Sequence, residues 1–92
     1  MRLCRVEVEA YAGYRGQQEP RSFTYGGCVR RVAEIVDRWY EGGLDPRAPK
    51  LDYFRISTEG GGTFLLRYNS LFNAWALVDP PVETETNGGK KG

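Results

Sequence analysis

The sequence predicts an all-β fold, a small antiparallel meander, on three observations. From Leu3 to Ala12 the side chains alternate: Cys4, Val6, Val8 and Ala10 fall on one face, and Arg5, Glu7, Glu9 and Tyr11 on the other. Period-two alternation marks a half-buried strand. The runs 51–57, 63–68 and 74–78 are short, rich in β-branched and aromatic residues, and separated by Gly60-Gly61-Gly62 and by Asn69-Ser70. Such punctuation is the signature of consecutive hairpins. A third pair of apolar runs flanks Gly26-Gly27, a dipeptide suited to the positive φ angles of a two-residue hairpin turn.

In chain order, strands are expected at 3–12, 21–25, 29–40, 51–58, 63–69 and 74–78. Gly13 to Pro20 reads as a polar loop, with two glycines and a proline. The segment after Gly27 supports two readings. Val29, Val32, Ala33, Val36 and Trp39 or Tyr40 match helical spacing, with Arg30, Arg31, Glu34, Asp37 and Arg38 opposite and Gly42 as a cap. That reading makes the fold α+β, with residues 29–41 helical. The strand reading uses Val29, Val32, Ile35 and Val36 and the hairpin turn before them, and it requires a bulge near Ala33. Periodicity alone favours the helix slightly. Glu41 to Lys50 carries Gly42-Gly43, Pro46 and Pro49 and is a loop. Consecutive prolines at Pro80-Pro81 end the sheet pattern. Residues 1–79 are therefore expected to form one barrel-like domain and 80–92 a disordered tail.

With 92 residues, a net charge of +1, 40% apolar and 27% charged residues, the chain has the composition of one modest folded domain. The near-neutral charge lacks the electrostatic footprint of a dedicated duplex-DNA binder. Met1 to Glu7 is charged from the start, without a signal-peptide apolar stretch, and no run approaches membrane-spanning length. A cytoplasmic setting is the expectation. There is no His, and Cys4 and Cys28 are widely separated, so neither a zinc site nor a cofactor is expected; two small buried thiols are.

Residues that carry chemistry are scattered. Gly60-Gly61-Gly62 lacks the Lys-Ser/Thr and helix of a phosphate loop, since Thr63-Phe64-Leu65-Leu66 follows. Glu7 and Glu9 share an open strand face, which has none of the enclosure that an acid–base pair needs. Ser57, Thr58 and Ser70 have no His to activate them. No enzymatic activity is expected. Phe23, Phe54, Phe64, Trp75 and Trp39 read as core, and Tyr11, Tyr14, Tyr53 and Tyr68 as partly exposed. Interleaved arginine and tyrosine suit phosphate contact and base stacking on a single strand, or cross-strand packing that stabilises the sheet. Tyr14, Arg15, Arg55, Arg67 and Tyr68 are the candidate binding residues.

Tyr11-x-Gly13-Tyr14-Arg15, Glu19-Pro20-Arg21-x-Phe23, Gly26-Gly27, Asp37-Arg38-Trp39, Tyr53-Phe54-Arg55-Ile56, Phe64-Leu65-Leu66-Arg67-Tyr68 and Trp75-x-Leu77 together resemble a small bacterial all-β domain family of uncharacterised function. Its members occur alone and as a C-terminal module of some translesion-polymerase-like proteins. The resemblance covers most of residues 11–78 and tips the 29–40 segment to strand. Its motifs are turns and core aromatics, so it implies a fold and a setting but no catalytic residues. The Pro- and Gly-rich stretch 42–50 and Cys28 depart from the family pattern.

The expected fold is a meander closing as an SH3-like or related barrel. The expected function is non-enzymatic docking to a protein or to single-stranded nucleic acid, in a DNA-maintenance setting. A small-ligand binder or small enzyme with its site at an oligomer interface is the alternative, and a weak homodimer through exposed sheet edges is compatible with either.

Overall fold

The computed structural model describes residues 2–13, 18–42, 47 and 50–80. Strands β1 (Leu3–Ala12), β2 (Gln18–Tyr25), β3 (Cys28–Glu41), β4 (Leu51–Thr58), β5 (Thr63–Asn69) and β6 (Ala74–Val78) form an antiparallel meander. The barrel closes where β6 pairs with β1. Among the described residues there is no helix, and none therefore that is long and apolar enough to cross a membrane.

The turns behave as their sequences require. Gly26 and Gly27 both take positive φ, 63° and 77°, between Tyr25 and Cys28, the geometry whose twist matches the flanking strands. At the β4–β5 hairpin, the Thr58 N–H donates to Gly62 O at 3.1 Å and the Thr58 hydroxyl to Gly61 O at 2.5 Å.

The segment after Gly27 is strand throughout. Its pairing with β4 skips Ala33 and Val36, so it holds the expected bulge at Ala33 and a second at Val36. Each bulge resets the alternation. Val32 and Ile35 can then both face the core, although their spacing is wrong for an unbroken strand. The second bulge reverses the first, so Arg38 faces the core and Trp39 the outside. Expected in the core, Trp39 is only half-buried and lies outside the core cluster.

Strand β2 begins three residues earlier than the loop reading of Gly13 to Pro20 implies. Pro20 pairs with Ala10, and the register then skips Arg21. Proline is tolerated because β2 pairs with β3 only from Ser22 onward, leaving residues 18–21 with an edge that needs no N–H donor. The bulge at Arg21 lets both Pro20 and Phe23 turn inward, where they are fully buried.

The core is built on Val6, Phe23, Phe54, Ile56, Phe64, Leu66, Tyr68, Trp75 and Leu77. Phe23 meets Phe64 edge-on at 5.3 Å, and Trp75 tilts against both Phe54 (5.5 Å) and Tyr68 (4.8 Å). Full burial of each large apolar side chain is worth about 1.5–3 kcal/mol. Two arginines cover the aromatic core from inward-facing positions: Arg30 over Tyr25 and Phe64, and Arg38 over Phe54 at 4.9 Å.

Three other expectations are corrected. Tyr53 and Tyr68 are buried, at 4% and 8% exposure, rather than partly exposed. The two thiols are free and not buried as a pair: Cys4 is half-buried, and Cys28, the first residue after the hairpin turn, is exposed. Pro80, expected to begin the tail, is buried, and its carbonyl accepts the Arg2 guanidinium at 3.0 Å. The remainder of the expected tail lies outside the described residues.

Candidate functional site

Antiparallel register determines which side chains share a surface. On the outside of the barrel, Trp39 of β3 pairs with Tyr53 of β4, Tyr53 with Arg67 of β5, Arg67 with Ala76 of β6, and Ala76 with Arg5 of β1. These five residues form one row across five adjacent strands. Neighbouring strands lie about 4.8 Å apart, so the row crosses the sheet directly. Arg55 sits one step along β4, opposite Leu65 and diagonal to Arg67, a separation of about 7–8 Å between backbone positions.

The aromatic end of the row is layered. The Trp39 and Tyr53 rings stack with centroids 5.4 Å apart and planes 9° from parallel. The Arg55 guanidinium carbon lies 5.7 Å from the Trp39 ring centre. The Tyr53 hydroxyl donates to Glu41 Oε1 at 3.2 Å, and Asp37 Oδ1 accepts the backbone N–H of Arg38 at 2.8 Å. Both acids on this part of the face thus already hold hydrogen-bonding partners. Arg67 differs. Its Nε atom is buried and meets no hydrogen-bond acceptor among the described residues. A buried donor left without an acceptor costs about 1–3 kcal/mol.

The barrel brings together two of the five sequence-predicted binding residues, Arg55 and Arg67. It separates Tyr68 from them. Tyr68 faces inward against Trp75, and its hydroxyl donates to Asn73 Oδ1 at 2.7 Å. Tyr14 and Arg15 lie outside the described residues. Sequence reasoning missed Trp39 as a site residue, having placed it in the core, and weighed Tyr53 for the arginine–tyrosine surface without selecting it. It also missed Arg5, whose register partner Ala76 joins it to the row. The alternation in β4 and β5 was a usable signal, since Tyr53, Arg55 and Arg67 occupy odd positions opposite the inward Phe54, Ile56 and Leu66. Among the described residues, no three His, Cys, Asp or Glu side chains group to hold a metal ion.

Comparison of the chain with protein families, with curated proteins and with solved structures finds no match.

Proposed function

We propose that this barrel is a non-enzymatic docking module that takes single-stranded nucleic acid on the outer face of β3 to β6. The observation that carries the reading is the row itself, in which Arg67 and Arg5 share one outer face with Trp39 and are flanked by Arg55. Arginine forks suit phosphate oxygens. The half-buried Trp39 ring offers a stacking surface that every base can use regardless of sequence. With a net charge of +1, the affinity comes from local clustering and is weak. The DNA-maintenance setting is part of the proposal and rests on the family resemblance alone.

Fluorescence anisotropy with short labelled oligonucleotides, at low and moderate salt, tests the reading. Binding should fall steeply as salt rises. It should quench tryptophan emission, and it should be lost in the Arg55→Ala, Arg67→Ala double variant. Absence of binding at low salt removes the nucleic-acid ligand and leaves a protein surface rich in carboxylates as the partner of the same arginines. Binding that the double variant retains refutes the face.

A further inference from the structure

Strand β1 is paired on both sides, but not over the same residues. Leu3 to Val6 pair with β6, whereas Glu7 to Ala12 pair with β2. Strand β6 begins at Ala74, and the chain before it is the turn from β5. From Glu7 onward the second edge of β1 therefore meets no strand among the described residues. An open edge is a row of free N–H and C=O groups, which proteins usually blunt with charged side chains, Lys above all, with Pro or with a bulge; here Glu7 and Glu9 are the charged side chains. Residues 7–12 contain neither Lys nor Pro. The bulge in this hairpin places its extra residue, Arg21, on β2, so β1 stays continuous.

Beside this edge runs a groove of about 970 Å³, with Val8, Ala10 and Ala12 on one wall, Asn73, Ala74 and Trp75 on the other, and Arg5, Glu7 and Gln18 adding polar groups to its lining. That volume lies within the range of about 300–1,000 Å³ typical of ligand sites. Leu71 and Phe72, in the turn leading to Asn73, are 63% and 70% exposed. The seam between β2 and β3 is different. There the Arg38 guanidinium bridges the strands by donating to Gln18 O at 3.4 Å, and the groove is only about 210 Å³.

We propose that the Glu7–Ala12 edge of β1 is a strand-addition site for an extended segment of a partner protein in which apolar and basic residues alternate. An added strand satisfies the open backbone groups, and its side chains sort by face. The inward set enters the groove against Val8, Ala10 and Trp75, where small walls leave room for aliphatic residues. The outward set lies beside the exposed Glu7 and Glu9, where opposite charge is favoured and like charge is disfavoured. Two other occupants fit this charge rule less well. Pairing β1 with a second antiparallel β1 about Val8 sets Glu7 against Glu9, and pairing about Glu7 or Glu9 sets a glutamate against itself; a register about Ala10 avoids the clash by setting Glu9 against Tyr11, but it brings no opposite charge to either glutamate. The chain's own Val82-Glu83-Thr84-Glu85-Thr86 carries its two acids on one face. Added as a strand, they would lie either beside Glu7 and Glu9 or in the groove against Val8 and Ala10. The site is separate from the arginine row and does not depend on nucleic-acid binding.

The test uses the full chain and two labelled hexapeptides, one alternating Lys and Val and one alternating Glu and Val. The Lys-Val peptide should bind saturably and slow amide exchange at residues 7–12. The Glu-Val peptide should bind at least about ten-fold more weakly. In the Glu7→Lys, Glu9→Lys variant, which alters only exposed side chains, the preference should reverse. No saturable binding, equal binding of the two peptides, exchange protection elsewhere, or a preference unchanged by the charge swap overturns the proposal. So does sedimentation that finds a dimer whose protected edge is residues 7–12, which assigns the edge to a second copy.

Discussion

Trp39 lies flat against Tyr53 on the outside of the barrel, with ring centroids 5.4 Å apart and planes 9° from parallel. They face each other across the β3–β4 ladder. Trp39 covers Tyr53, which is why a tyrosine on an outward-facing position is only 4% exposed. The stack is a small second cluster on the face opposite the core, and it makes the two tryptophans unequal.

Trp75→Ala should therefore destabilise the barrel more than Trp39→Ala. Trp75 belongs to the core, where truncating a large aromatic costs about 3–5 kcal/mol. Trp39 is half-buried, and an aromatic pair contributes about 0.5–1.5 kcal/mol beyond area. Urea denaturation of the two variants compares them directly. Equal losses would mean that the outer stack is as important to folding as the core.

The two glycine turns should respond oppositely to alanine. Gly27 has φ of 77°, and a Cβ there meets nothing within 4 Å, so the cost of Gly27→Ala is purely conformational, about 1–2 kcal/mol. Gly60 also has open space, and its φ lies outside the left-handed range. Gly60→Ala should be neutral or stabilising by up to about 1 kcal/mol, because it restricts the unfolded chain. Thermal melts of both variants decide the point; a destabilised Gly60→Ala would contradict it.

Asn73 combines a φ of 51° with a side-chain oxygen that accepts the Tyr68 hydroxyl. Tyr68→Phe removes the buried hydroxyl and should cost about 0.5–1.5 kcal/mol. Asn73→Ala strands that hydroxyl and strains the backbone, so it should cost more. Asn73→Gly should fall between Asn73→Ala and the parent protein, since glycine relieves the strain alone. The order of the denaturation midpoints is the readout, and a glycine variant no better than alanine would show that φ is not the issue.

Truncation should be tolerated up to the clasp that joins the two ends of the barrel and no further. Asp79 accepts the Arg2 N–H at 2.7 Å and donates its own N–H to Arg2 O at 2.6 Å, while Arg2 holds the Pro80 carbonyl. Ending the chain after Val82 should change stability by less than about 0.5 kcal/mol. Ending it after Val78 removes all these bonds and the buried Pro80, and should lower the melting temperature by several degrees. Similar melts for the two truncations would assign the clasp no role.

The sequence by itself determined five of the six strands to within a few residues, the glycine turns and the core identities of Phe23, Phe54, Phe64 and Trp75; for residues 29–40 its periodicity leaned to helix, and only the family resemblance tipped that segment to strand. These depend on local rules: alternation with period two, turn dihedrals available to glycine, and proline's missing donor. Tertiary structure decided which residues meet. Bulges at Arg21, Ala33 and Val36 each shift the register by one residue, and a one-residue shift moves the side chains that follow to the other face. One such reset sent Trp39 outward to Tyr53 and brought Arg38 over Phe54. The inward register of β5 separated Tyr68 from Arg55 and Arg67. Among the described residues, the open edge of β1 arises because β6 starts only at Ala74, opposite the middle of β1. That offset exists only once the barrel has closed, since pairing between distant strands obeys the fit of the whole sheet rather than the pattern of any one segment.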